Sequence, residues 1–167
     1  MLTLWLIPDE VAYERLQNLT IDLSTLQQVP DFQPHVTLLS GIVNEEEIAI
    51  EKTQKFAAAT RIVQGAISNI EFLEEQFRCL FFTNTYSESL IQAREKAESF
   101  FEHTNIQPFI PHVSFLYGAM PIFRVEASAK VFNKQWHLPM ALSTLRLVKT
   151  RRTPEHWETI AEFPLKQ

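Results

Sequence analysis

The sequence has few of the residues from which several common kinds of site are built. Cys79 is the only cysteine among 167 residues, which excludes an internal disulfide, a CxxC redox pair and a cysteine-rich zinc site. There are three glycines, and none belongs to a glycine-rich phosphate loop. HxH, HExxH and GxSxG patterns are absent. Zinc-dependent, Walker-type and serine-hydrolase sites are therefore not predicted, and we expect no metal and no cofactor.

Positive charge and long apolar runs are also scarce. The net charge of −5 argues against binding of long nucleic acid but leaves room for a small anionic substrate. The apolar run 2–7 stops at Pro8, well short of the ~20 residues of a membrane span, and is interpreted as a buried strand. We expect one globular domain over 1–167 in a reducing, cytoplasmic compartment, and association with Golgi or other membranes stays open.

Changes in hydrophobic period predict the element order β-α-β-α-β-β-α-β-α-β-β. Asp9 is a predicted N-cap for the first helix, and Asn44 with Glu47 resembles a capping box for the second. Pro121 suits the first turn of a fourth helix. The helices are predicted over about 9–26, 44–61, 87–101 and 121–132, and the strands over about 2–7, 34–39, 66–73, 77–83, 111–117, 141–150 and 156–163.

The most informative feature is a repeated motif. The stretch PHVTLLSG recurs 77 residues later as PHVSFLYG, with five of the eight positions identical. Each copy places an imidazole and a hydroxyl two residues apart, so that in an extended strand both lie on one face: His35 with Thr37, and His112 with Ser114. Two converging imidazoles are suited to acid–base chemistry at a phosphorus or carbonyl centre.

Each predicted histidine strand follows one amphipathic helix and precedes another, which indicates an internal duplication. We therefore predict an α+β fold in which two similar lobes form a single domain. Their two antiparallel sheets would face a central cleft about a pseudo-twofold axis, with the helices outside. This arrangement would bring the two histidine strands together.

The paired motifs resemble the two-histidine phosphoesterase superfamily, and within it the cyclic nucleotide phosphodiesterases of fungi and plants. The resemblance covers almost the whole chain. Besides the two motifs, it includes the segments Leu4-Trp5-Leu6-Ile7-Pro8, Phe77-Arg78-Cys79, Lys149-Thr150 and Trp157-Glu158-Thr159-Ile160.

The resemblance implies a metal-independent enzyme that hydrolyses 2′,3′-cyclic nucleotides and ADP-ribose 1″,2″-cyclic phosphate, small cyclic phosphates linked to tRNA splicing. We expect the chain to be a monomer. The resemblance also implies that His112 activates water and that His35 protonates the leaving oxygen, which gives a 2′-phosphate. The symmetry of the motifs leaves the reverse assignment open. Thr37 and Ser114 would hold the phosphoryl oxygens.

Tyr117 and Trp5 complete the set of candidate substrate-binding residues. Strict alternation would direct Tyr117 away from His112, so its role requires that the strand bend or end there. Trp5 could stack on a nucleobase or pack in the core. Two alternatives to the proposed activity stay open: a superfamily enzyme that acts on RNA ends, and an inactive nucleotide-binding module.

Two other groups of residues are assigned mainly to structural roles. The aromatic residues of the predicted strand 77–83 favour a core face, and a basic cluster favours a solvated strand end over a second phosphate site. These residues are Phe77, Phe81 and Phe82, and Lys149, Arg151 and Arg152.

Overall fold

The computed structural model describes residues 1–72, 80–85, 88–103, 108–118 and 137–167. These form seven strands, three α-helices and one 3-10 turn, Pro154–His156. The strands are β1 (Leu2–Pro8), β2 (Val36–Ile42), β3 (Val63–Phe72), β4 (Leu80–Thr85), β5 (His112–Leu116), β6 (Leu138–Lys149) and β7 (Glu158–Pro164). The helices are α1 (Glu10–Gln27), α2 (Glu46–Ala59) and α3 (Glu88–Phe101).

The strands form one curled antiparallel sheet in the order β1-β2-β5-β4-β3-β6-β7, and β6 also pairs with β1. Six strands therefore close into a ring. The 12-residue strand β6 joins the lobes, because its first half pairs with β3 and its second half with β1 and β7. The α+β class is confirmed, and the two predicted sheets are continuous with each other through β6 and through β2 and β5.

The topology contains the predicted duplication. The unit β1-α1-β2 and the unit β4-α3-β5 have the same order, and in each the two strands occupy neighbouring places in the sheet. The strand that follows each unit lies beside the first strand of the other unit: β3 pairs with β4, and β6 pairs with β1. The two halves are therefore interlocked by exchange of a strand.

The first predicted helix is confirmed with its cap. Asp9 Oδ1 accepts from the Ala12 amide at 3.1 Å, and Asp9 Oδ2 accepts from the Ala141 amide at 2.7 Å, which ties the start of α1 to β6. Helical spacing in the sequence puts five apolar residues on one face of this helix; four are buried and the last is 66% exposed: Ala12, Leu16, Leu19 and Leu23, and then Leu26.

The predicted start of the second helix is wrong. Its N-cap is Glu45, which makes no side-chain capping bond, and the helix ends at Ala59 instead of near Arg61. Glu46 and Glu47 place negative charge in the first turn, where it interacts favourably with the helix dipole. This interaction stabilises the start of the helix in place of a capping box.

The third helix buries four residues that helical spacing in the sequence puts on one face, and one of them is charged: Leu90, Arg94, Ala97 and Phe101. Arg94 is buried, lies 2.6 Å from Glu98 and donates to the Leu38 carbonyl of β2. This arrangement satisfies the guanidinium while it ties α3 to the strand that follows His35. The predicted helix start at Ser87, the Phe77-Arg78-Cys79 segment and the fourth helix over 121–132 lie outside the described residues.

Alternation along β1 separates two apolar clusters. Leu4 and Leu6 join the main core between the helices and the sheet, whereas Trp5 and Ile7 form a second cluster with Val148 on the opposite face. The second cluster marks the cleft side of the sheet. No described helix is long and apolar enough to cross a membrane.

Candidate active site

The two histidine segments meet where β2 and β5 pair. In the described part of the chain these strands are in register at Val36 and Val113, and both valines are in the main core. Residues adjacent to an inward-facing pair point to the other face of the sheet, which here is the cleft. An antiparallel pair has a local twofold axis, so each histidine lies across from the hydroxyl residue of the other strand. His35 is beside Ser114, and His112 is beside Thr37.

Both imidazoles are held by the same backbone contact. Nδ1 of His35 lies 2.7 Å from the Gln33 carbonyl, and Nδ1 of His112 lies 2.8 Å from the Ile110 carbonyl. A carbonyl can only accept, so Nδ1 carries a hydrogen in each ring, and Nε2 is the acceptor nitrogen of the neutral imidazole. The proline before each histidine has a restricted φ and no N–H, which suits the tight backbone path of this contact.

His35 is enclosed by aromatic rings. The ring of Trp5 stacks on it at 3.7 Å with an interplanar angle of 12°, and Phe32 and Trp157 approach it edge-on. Only 4% of the residue is exposed. Burial, followed by the charges of His112 and Arg146, lowers the pKa of His35 to about 3 against the opposing effect of its bond to Gln33. His35 is therefore neutral at physiological pH in the unliganded protein.

His112 has a pseudo-symmetric but more open environment. Phe81 contacts it at 5.3 Å in a T-shaped arrangement, and Phe81 lies opposite Ser114 just as Trp5 lies opposite Thr37. The two strand pairings also have an irregularity at corresponding positions: the β1–β2 register shifts next to Trp5, and the β4–β5 register shifts next to Phe81. Phe81 is buried, as the sequence predicts, but it contacts His112 on the cleft face, whereas alternation places Phe82 in the main core.

Tyr117 reaches the site because β5 ends one residue earlier, at Leu116. Its phenol hydrogen-bonds with the Ser114 side chain, and its ring stacks on Phe32 at 3.8 Å. Burial raises the pKa of Tyr117 to about 12, so the phenol keeps its proton. The strand end that the sequence required is present, and Gly118 follows with φ of +141°.

Arg146 was not among the sequence candidates. It lies on β6 opposite Trp5, pairs with Glu162 on β7, and donates to the side-chain oxygen of Gln33. Because the Gln33 carbonyl also anchors His35, this arginine supports the segment that orients the imidazole. The sequence places Arg146 in the predicted strand 141–150. Alternation along that strand does not identify which strand lies beside it, so the position of Arg146 opposite Trp5 could not be predicted.

We expect Arg146→Met to raise the pKa of His35, because one of the charges that lowers it is removed. NMR titration of the imidazole nitrogens measures this shift. Arg146→Lys keeps the charge and is the matched control. An unchanged His35 pKa in Arg146→Met would contradict the electrostatic role.

In the basic cluster predicted near the end of β6, Lys149 has an acidic partner. Lys149 Nζ lies 2.8 Å from Glu46 of α2, and the Arg151 carbonyl accepts from the Trp157 indole at 3.0 Å. Arg152 is exposed. Within the described ranges, no three His, Cys, Asp or Glu residues are grouped so that they could hold a metal ion.

Comparison with known sequences identifies the family. A family model described as "Cyclic phosphodiesterase-like protein" matches residues 1–165. The chain belongs to this family. Among curated proteins, this cyclic phosphodiesterase-like chain is 24% identical over 166 residues to the cyclic phosphodiesterase of Arabidopsis thaliana. The aligned region covers 95% of this chain and 92% of that one.

Solved structures share the fold of this cyclic phosphodiesterase-like chain. The protein TT0787 of Thermus thermophilus matches with a TM-score of 0.66 and 16% identity over 98% of this chain and 97% of that chain. Escherichia coli LigT in complex with phosphate matches with a TM-score of 0.60 and 12% identity over 99% and 97%. The predicted membership of the two-histidine phosphoesterase superfamily is confirmed, and the chain is a phosphodiesterase of that superfamily.

Proposed function

We propose that the chain hydrolyses 2′,3′-cyclic nucleotides to nucleoside 2′-phosphates, and ADP-ribose 1″,2″-cyclic phosphate to ADP-ribose 1″-phosphate, without a metal ion. We propose further that these substrates arise as by-products of tRNA splicing. The pairing of Val36 with Val113 carries the proposal, because it brings two imidazoles with the same backbone anchor to one cleft. The curated relative from Arabidopsis thaliana, named as a cyclic phosphodiesterase, supports the substrate class.

The proposed reaction is a single displacement at phosphorus. The oxygen of a water molecule attacks phosphorus, the P–O3′ bond breaks, and the phosphate stays on O2′. His112 Nε2 takes the proton from water, and His35 Nε2 gives a proton to O3′. The hydroxyls of Thr37 and Ser114 donate to the phosphoryl oxygens, where negative charge accumulates.

In this scheme His35 must bind a proton together with the substrate. Its pKa of about 3 keeps it neutral in the empty site, and an anionic phosphate next to it raises that pKa. The reverse assignment needs no such uptake, since neutral His35 could accept the proton from water directly. With the nucleotide in the same orientation, the reverse assignment places the phosphate on O3′, so identifying the product distinguishes the two.

Product analysis in the presence of EDTA tests the proposal. The chain is incubated with a 2′,3′-cyclic nucleotide, with ADP-ribose 1″,2″-cyclic phosphate and with RNA that ends in a cyclic phosphate. We expect hydrolysis of both small substrates to the products named above. Hydrolysis of the RNA end alone would overturn the proposal in favour of an enzyme of RNA ends, and hydrolysis of none would favour an inactive module.

Removal of one hydroxyl is expected to slow the reaction without stopping it. Thr37→Val and Ser114→Ala should each lower kcat by about 10²–10³-fold, because each removes one donor to the developing charge. Steady-state kinetics on a 2′,3′-cyclic nucleotide measures the effect. Thr25→Val changes an exposed threonine of α1 in the same way and should leave kcat unchanged. Wild-type kcat in Thr37→Val and Ser114→Ala would contradict their phosphate-binding role.

A further inference from the structure

A pocket of about 210 Å³ opens to solvent beside His35. Three of its walls are the aromatic residues Trp5, Phe32 and Trp157. Aromatic faces bind nucleobases by stacking, whatever the sequence of the nucleic acid. Trp5 and Phe32 are 3% and 5% exposed, whereas Trp157 is partly exposed, so Trp157 is the ring of this lining on which a flat heterocycle could stack.

The pocket is placed at a suitable distance from the reacting groups. Trp5 lines the pocket and also stacks on His35, with ring centroids 3.7 Å apart, so the pocket and the imidazole share this ring as a neighbour. In a cyclic nucleotide, one ribose separates the phosphate from the base. A phosphate between the histidines would thus leave its base within reach of this pocket.

Three polar side chains also line the pocket, and their hydrogen bonds determine what each can offer. Gln17 donates from Nε2 to the Phe32 carbonyl at 3.4 Å, so its Oε1 can accept from a ligand. Gln33 accepts at Oε1 from Arg146, so its amide N–H groups can donate to a ligand. Asp31 is exposed and presents a carboxylate, which can only accept.

We propose that this pocket binds the nucleobase and selects adenine and cytosine, an inference that rests on the proposed function. Both bases carry an amino donor next to a ring-nitrogen acceptor on the edge that pairs in duplexes. Asp31 and Gln17 accept from the amino group, and Gln33 donates to the ring nitrogen. Uracil carries an oxygen where cytosine carries the amino group, and that oxygen would face the carboxylate of Asp31.

The test compares 2′,3′-cyclic CMP with 2′,3′-cyclic UMP, which differ in the groups that the pocket would read. We expect kcat/KM to be higher for the cytidine nucleotide by about tenfold. Asp31→Asn should reduce this preference to about twofold or less, because an amide can both donate and accept. Asp22→Asn removes the same charge from an exposed position on α1 and should keep the preference.

The outcomes separate this inference from the proposed function. Hydrolysis of both nucleotides at equal kcat/KM, or an unchanged preference in Asp31→Asn, overturns the base pocket and leaves the activity intact. Failure to hydrolyse either nucleotide overturns the activity. In that event, calorimetric binding of cytidine and uridine 2′-monophosphates still tests the pocket, and equal affinities would overturn it.

Discussion

His35→Asn and His112→Asn are each expected to lower kcat on a 2′,3′-cyclic nucleotide by about 10²–10⁴-fold, because each removes one of two proton transfers. Asparagine can still donate to the carbonyl that holds each imidazole, so the backbone path is kept. The double variant should be little slower than either single variant, since both groups serve one displacement. Steady-state kinetics on purified proteins measures all three.

The matched control is His137→Asn, which changes an exposed histidine that precedes β6. It should retain wild-type kcat, and circular dichroism should show the same secondary structure in every variant. A kcat within about threefold of wild type for His35→Asn or His112→Asn would contradict the two-histidine mechanism. The alanine variants His35→Ala and His112→Ala are expected to lose turnover in the same way.

The buried state of His35 should make the protein less stable in acid. In the unfolded chain this group binds a proton near pH 6.5, and in the folded chain only near pH 3, mainly because of burial. Its contribution to the free energy of unfolding is complete above pH 6.5, and is lost as the pH falls from 6.5 towards 3. Between these limits the loss approaches about 1.4 kcal/mol per pH unit.

Chemical denaturation at pH 6.5, 5.5 and 4.5 measures this effect. The wild-type protein should lose stability more steeply than His35→Asn, which has no group to titrate at that position. His137→Asn is the control, because it changes an exposed histidine that precedes β6, keeps both the enclosed His35 and its neighbour His112, and should follow the wild-type slope. Equal slopes for wild type and His35→Asn would show that His35 is not held neutral by the fold.

The sequence predicted most of what depends on local pattern. The two motifs predicted that His35 and His112 would share a cleft, and the period changes located the helices and strands of the described residues to within a few positions. The α2 cap was wrong because a favourable charge pattern in the first turn replaced the expected side-chain bond. Pattern alone could not distinguish these two ways to start a helix.

The parts of the site that the sequence did not reveal depend on contacts across strands. Arg146 is significant because β6 places it opposite Trp5, and Phe81 because β4 places it opposite Ser114. The direction of the Tyr117 side chain depends on where β5 ends, and alternation does not specify that end. The enclosure of His35, and hence its lowered pKa, arises from rings that lie far apart in the chain.

The exchange of strands between the two halves has a consequence for how the chain folds. Leu2 pairs with Lys149, so the ring cannot close until the chain has left the ribosome as far as residue 149. Until then β1 has an unpaired edge, which can pair with other chains. Contacts at this sequence separation are also slow to form. A chain truncated before β6 would keep both histidines yet lack the strand that closes the ring.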